Sequence, residues 1–325
     1  NLAILFISGM CMGAGILMST QYGAKQQDVL ERQISTTLLS GLVFSFFVTL
    51  SMMVLAKPVL TLIRVPEEIL DSACGYLRII FTGFLFTFAY NFFSSTLRAL
   101  GDSKASLYFL VISSVFNIAG DLLFVAVFRW GVNGSALATV LSQMICCLCC
   151  MIYIQKKVPL LRLGKRWLIF DKCLLSRTFS FGITSALQLM CVQLGKVCVQ
   201  SMVNMQGIAF MAAFTAVNRV DDFALTPQQN IAHAATTFMA QNKGAGQEKR
   251  MKQGFFCGVL VELCYTAAVG SCVFLFAEPI MKLFLPEESA EVIVLGVTYL
   301  QLISFLYLLS GSGNIVQGFF RGIGD

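Results

Sequence analysis

Asn117 and Asp121 lie four residues apart in the stretch FNIAGDLLF, so on a helix they share one face. Asp121 stands eight residues before Arg129, roughly 12 Å along a helix that rises about 1.5 Å per residue. Thr139 returns to a comparable depth if the short Trp130–Asn133 connection makes the flanking helices antiparallel neighbours. An isolated carboxylate at such a depth in an apolar segment costs several kcal/mol, about 2.5–3.5 on insertion scales. It requires a partner, a bound cation or a proton, and desolvation favours its uncharged form. Asn117, Asp121 and Thr139 are therefore the first candidates for an ion-binding site. The plainer alternative is that Asp121 bonds Asn117 and serves packing alone.

A second cluster, NRVDD, supplies Asn218, Arg219, Asp221 and Asp222. Arg219 and Asp222 are three residues apart and can neutralise each other on a helix, which leaves Asp221 to face a cavity. Lys196 and Glu262 are lone charges in apolar stretches and are candidates to pair with each other. Gln188, Gln193 and Asn314, with Gln301 and Gln317, add neutral polar groups to similar stretches. Together these positions are candidates for contact with a cationic substrate. His233, the only histidine, reads as packed or hydrogen-bonded rather than as a proton relay. The run CCLCC, Cys146 to Cys150, has the spacings a soft metal could use on one helix. No His or acid stands near it, and Cys packs as a small hydrophobe, so no metal site is read there. GxSxG, HExxH and a phosphate-cradling GxxxxGK[ST] are all missing, which argues against an enzyme and against a nucleotide-driven pump.

The elements that must position these groups are membrane helices. The chain is 57% hydrophobic and 12% charged, with a mean hydropathy of +0.78, whereas a soluble domain carries about 25% charged residues. Apolar windows long enough to cross a bilayer predict nine helices, at 1–20, 34–56, 74–97, 105–128, 133–155, 178–203, 208–240, 253–276 and 292–318. Pro227 should kink the seventh. The chain starts at Asn1 without the basic region or cleavage site of a signal peptide, and it reads as part of a longer product. Loops after alternate helices hold sixteen of the twenty-three basic residues, and those loops are expected to face the cytoplasm. The basic segment 156–177 then reads as a cytoplasmic linker, not a nucleic-acid patch.

Loop punctuation recurs along the chain. LRALGD (97–102) returns as RGIGD (321–325), AKPVLTLIRVPEE (56–68) as AEPIMKLFLPEE (277–288), and Tyr76-Leu77 as Tyr299-Leu300. Gln21-Tyr-Gly-Ala matches Gln241-Asn-Lys-Gly-Ala with one inserted residue. The offset drifts only from 220 to 223, a span of six helices, so both copies share one orientation in the membrane. A parallel repeat of this kind is a transporter architecture. The expected fold is all-α and polytopic, with two six-helix lobes, twelve helices when intact and about nine here. Residues 1–155 form the N-terminal lobe, 156–177 the linker and 178–325 the C-terminal lobe. Arg98, Asp102, Arg321 and Asp325 close the fourth helix of each lobe and are read as shaping an inner gate.

These residues, above all LRALGDSKASLYFLVISSVFNIAGDLLFVAVFRWGVNGSALATVLSQ (97–143) and AFTAVNRVDDFALTPQQNIAHAATTFMAQNKGAG (209–246), resemble the multidrug and toxic compound extrusion (MATE) family. The resemblance covers essentially the whole chain. It implies a central cavity and export of organic cations or amphiphiles in exchange for H+ or Na+ by alternating access. It also implies that Asn117, Asp121 and Thr139 match the first-lobe cation site. No cofactor is expected beyond the coupling ion, and the expected partners are small organic substrates and the lipid bilayer of the plasma membrane, with the chain acting as a monomer. Some members use acids on the seventh and tenth helices of the intact protein, but the corresponding stretches here, 178–203 and 292–318, contain none, so first-lobe coupling is favoured. A lipid-linked saccharide flippase would want several cavity cations, where only Lys196 and Arg219 qualify. A non-coupled channel or scaffold is the rival of another class.

Overall fold

The structure is a computed structural model that describes residues 2–62, 65–158, 168–285 and 290–324. Within them the chain is helical: α1 (Leu2–Gly23), α2 (Gln27–Leu62), α3 (Glu67–Thr82), α4 (Phe84–Ala99), α5 (Ser103–Asp121) with a π segment (Leu122–Val127), α6 (Gly131–Lys157), α7 (Lys172–Asn204), α8 (Ile208–Gly244), α9 (Glu248–Leu275), α10 (Ala277–Phe284) and α11 (Ala290–Ile323). Seven of these helices are long and apolar enough to cross a membrane, and α3 with α4, bent by 43°, passes the same test when the pair is taken as one span. Helix α8 is long enough, at about 55 Å for its length. Its middle carries Asn218, Arg219, Asp221, Asp222, Gln228 and His233, and it does not meet the same apolar test.

Three elements differ from the sequence reading for identifiable reasons. The helix expected over 74–97 breaks at Gly83, where Val140 of α6 packs into the space a side chain would need; a methyl group there would lie 2.5 Å from Val140 Cγ2. The helix expected over 105–128 widens into π turns immediately after Asp121, with Phe128 N–H donating to Leu123 O at 2.9 Å. Phe124 then stacks on Trp130 at 5.4 Å and 7°, which fastens the tight turn into α6. Near residue 276 the two copies diverge, for α2 runs through Pro58 to Leu62 while the matching stretch separates as α10. Pro227 lies within the single element α8.

The described residues form two compact units, one of Asn1–Tyr22 with Gln26–Leu187 and one of Gly23–Lys25 with Gln188–Asp325. In the first, Phe84, Phe88 and Phe92 of α4 pack with Leu30 and Ile34 of α2 and with Cys146 and Cys150 of α6. Cys146 Sγ–H donates to Phe109 O at 3.2 Å, so this thiol stitches α6 to α5. The start of α7 is tied to α2: Gln33 Nε2 donates to Thr178 Oγ1 at 2.5 Å, and Ser35 Oγ both donates to Ile169 O and accepts from its N–H. Helices α1 and α7 also meet through small residues, Gly9 and Gly13 against Gly182 and Ala186. Such a stripe lets two backbones approach closely in lipid. In the second unit, Val217, Val220, Val273, Met281, Leu300 and Tyr307 form the core of α8, α9, α10 and α11.

The turns refine the internal repeat. After α1, Gln26 N–H donates to Gln21 O; after α8, Gln247 N–H donates to Asn242 O. The copies therefore align at an offset of 221, and the inserted residue of the sequence match disappears. Lys25 (φ 57°) holds the left-handed position that Gly246 (φ 66°) holds in the second copy. Gly101 (φ 91°) ends α4 in the same manner, with Asp102 N–H bonded to Leu97 O and Gly101 N–H to Arg98 O. A side chain at a left-handed position costs about 1 kcal/mol. Gly101→Ala is accordingly expected to lower the melting temperature in detergent and Lys25→Gly to raise it, each by an amount matching about 1 kcal/mol.

Candidate functional site

Helices α5 and α6 run side by side after their tight turn and bring Asn117 to Thr139, whose Oγ1 accepts from Asn117 Nδ2 at 3.3 Å. Thr139 in turn donates to Ser135 O at 3.0 Å. Asp121, one turn beyond Asn117, joins neither hydrogen bond: its Oδ1 is buried with no partner among the described residues. Packing through an Asp121–Asn117 bond is thus not the arrangement found. Gln143, one turn after Thr139 on α6, also has a buried oxygen, Oε1, without a partner among the described residues. Its spacing of four from Thr139 was the signal available in the sequence. The site combines one carboxylate, two amides and a hydroxyl on two adjacent helices. Buried polar atoms are normally paired, so a carboxylate oxygen left open beside an amide and a hydroxyl offers lone pairs to a cation or to a proton.

The charges of the second unit pair differently from the sequence reading. Asp222 is bonded by Lys196 Nζ at 3.3 Å on an exposed surface, and no ion pair among the described residues involves Arg219. Helix α7 lies close enough for Lys196 to take the carboxylate that sequence spacing assigned to Arg219. Asp221 does not stay open, because Tyr307 Oη donates to its Oδ1 at 2.5 Å. Tyr307 is 3% exposed, and its backbone carbonyl accepts from Gln228 Nε2 at 3.4 Å. Glu262 is not Lys196's partner: it is fully buried, and both of its carboxylate oxygens lack a hydrogen bond among the described residues. Sequence reasoning missed Tyr307 and Gln228, which only the packing of α8 on α11 brings together. Tyr307→Phe would leave a partly buried carboxylate without its donor. We expect a loss of about 1–3 kcal/mol, read as a drop in thermal stability that Asp221→Asn largely cancels.

Gln188 lies on α7 and accepts from Arg321, while Gln193 lies further along the same helix. Asn218 is on α8 and Asn314 on α11. At the end of α4, Arg98 donates to Ser94 Oγ at 2.8 Å and to Ser106 Oγ at 3.2 Å. Asp102 caps α5 through Ala105 N–H at 3.2 Å and accepts from Tyr153 Oη at 2.6 Å. These bonds fix the turn between two helices within the first unit. Asp325 lies outside the described residues.

The sequence profile of the MatE family matches residues 1–123 and 184–325. The chain belongs to the MatE family. Among curated proteins it is 30% identical over 330 residues to the probable multidrug resistance protein YoeA of Bacillus subtilis, covering 99% of this chain and 71% of that protein. It is 32% identical over 325 residues to the probable multidrug resistance protein YpnP of the same organism, covering 98% and 71%. Among solved structures, the outward-facing conformation of a multidrug resistance MATE family transporter of the MOP superfamily superposes with a TM-score of 0.93 at 21% identity, over 99% of this chain and 72% of that one. MatE membership makes the chain a multi-pass membrane protein of the multidrug efflux transporters, not an enzyme, and accounts for its long apolar helices.

Proposed function

We propose that this chain exports cationic or amphiphilic organic compounds by antiport with H+ or Na+, with Asn117, Asp121 and Thr139 binding the coupling ion and the two lobes alternating access. The observation that carries the reading is the buried, unpartnered Oδ1 of Asp121, whose residue stands one helical turn beyond the Asn117 that bonds Thr139. An acid left open inside a membrane helix is retained for a cation or a proton that it binds and releases. Asn218, Arg219, Asp221 and Asp222, with Gln188, Gln193, Lys196 and Asn314, are the polar positions proposed to meet substrate. Asp221 and Asp222 suit an organic cation, although each now shares its charge with Tyr307 or Lys196. The names of the two Bacillus relatives agree with drug export as the direction of transport.

The deciding experiment measures efflux of a fluorescent organic cation from cells that express the full-length protein. A protonophore and replacement of sodium are applied separately. Efflux that stops under one treatment and not the other identifies the coupling ion. Efflux indifferent to both would instead indicate an uncoupled channel.

A further inference from the structure

Glu262 sits at the middle of α9, fourteen residues from Glu248 and thirteen from Leu275. Each end of that helix is about 20 Å away at about 1.5 Å per residue. It is 0% exposed and makes no hydrogen bond through either carboxylate oxygen among the described residues. Its neighbour on α11 is Gly311, where a methyl group would lie 2.8 Å from Glu262 Oε1 and 2.5 Å from the Thr266 methyl. The carboxyl fits because position 311 has no side chain.

The internal repeat shows that the fold does not require an acid here. At offsets of 221 for α2 against α9 and 223 for α4 against α11, Glu262 corresponds to Gly41 and Gly311 to Phe88. In the first unit the Phe88 ring fills the space in front of Gly41, from the opposite helix. Phe84, Phe88 and Phe92 form an apolar stripe on α4, and α11 replaces them with Tyr307, Gly311 and Ile315. One copy closes this contact with a phenyl ring; the other closes it with a carboxyl group that costs several kcal/mol to bury charged.

The surroundings decide what that carboxyl can hold. Thr266 Oγ1, one turn away, is already committed to Leu263 O at 3.1 Å, and Gly311 adds no side-chain oxygen. Several titratable groups on the packed elements are committed to other partners. Tyr265 on α9 donates to Ala224 O, Tyr307 on α11 is bonded to Asp221 of α8, and Glu278 and Lys282 of α10 pair with each other at 2.6 Å. No basic side chain among the described residues forms an ion pair with Glu262. A hard metal cation wants several oxygen ligands, whereas a proton needs one.

From this geometry we propose that Glu262 is a proton-binding site of the second unit, separate from Asn117, Asp121 and Thr139, which takes up and releases a proton as its carboxyl gains and loses access to water. The inference does not depend on the coupling role of Asp121. Its test is therefore made without transport, on full-length protein in lipid nanodiscs carrying Asp121→Asn. Infrared difference spectra between neutral and alkaline pH should show the carbonyl stretch of a protonated acid at neutral pH, and that band should be lost in Glu262→Gln. In parallel, a lipid-soluble carbodiimide, which attacks protonated carboxyls, is mapped by mass spectrometry on the protein with Glu262 intact, a measurement independent of whether Glu262→Gln folds. Labelling of Glu262 should fall roughly tenfold for each pH unit above its midpoint, as a single titration requires. The proposal is overturned if the band survives Glu262→Gln, if Glu262 is never labelled or is labelled equally at every pH, or if sodium blocks labelling where alkali does not.

Discussion

Asp121→Asn in the full-length protein should abolish gradient-driven dye efflux while leaving the protein at its normal level in the membrane. The substitution keeps the shape of the side chain and the Asn117–Thr139 hydrogen bond, which does not use Asp121. It removes the charge that binds and releases the coupling ion. The loss to be measured is the accumulation that coupling sustains. One charge moved through about 100 mV is worth about 2.3 kcal/mol, which corresponds to roughly a fiftyfold concentration ratio at about 1.4 kcal/mol per decade. The variant should therefore lose the gradient by which coupled efflux keeps the dye out, with binding of the dye retained. Efflux at the unaltered rate would remove Asp121 from the mechanism. Loss of efflux accompanied by loss of protein from the membrane would mark Asp121 as structural.

Gly13→Leu should yield no folded protein. A methyl group at position 13 would already lie 2.5 Å from the backbone nitrogen of Gly182 and 2.6 Å from its Cα, and backbone cannot step aside as a side chain can. Gly13→Ala is expected to cost about 1–3 kcal/mol as an overpacked contact. Gly182→Ala provides the contrast, since the atom it meets first is the flexible Met10 Sδ at 2.5 Å. It should cost less than Gly13→Ala. Thermal unfolding of the purified variants, with fluorescence-detected size exclusion for Gly13→Leu, measures the order Gly13→Leu, Gly13→Ala, Gly182→Ala. Equal effects at positions 13 and 182 would show that α1 and α7 are not in backbone contact.

The helices, their membrane-spanning character and the repeat were legible because apolar length and loop punctuation are local properties of the chain. Gly101 with Asp102, and the turn at Trp130–Asn133, carry their conformations in residue type. The break at Gly83 was not legible, since it depends on Val140 from another helix filling the gap. Asn117 and Thr139 could be brought together from a tight turn and comparable depth, because a helical hairpin constrains both. The pairings of Lys196, Asp221, Asp222 and Glu262 could not be read in the same way. The Asp221–Tyr307 bond depends on the rotation of helices that are not neighbours in sequence, and Lys196 and Asp222, although on the consecutive helices α7 and α8, stand at different distances from the turn between them, so depth alone did not pair them.

The exchange of Gly41 and Phe88 in one unit for Glu262 and Gly311 in the other also bears on how such a protein can change over generations. A lineage passing from one arrangement to the other by single substitutions must cross a stage in which the space is filled twice or left empty. The first stage costs about 1–3 kcal/mol and the second about 3–5 kcal/mol for a ring-sized void, out of a net stability of about 5–15 kcal/mol. The two positions are therefore coupled in inheritance: each change is harmful alone and tolerated with its partner. Natural variants of this chain that lose Glu262 should carry a larger residue at position 311.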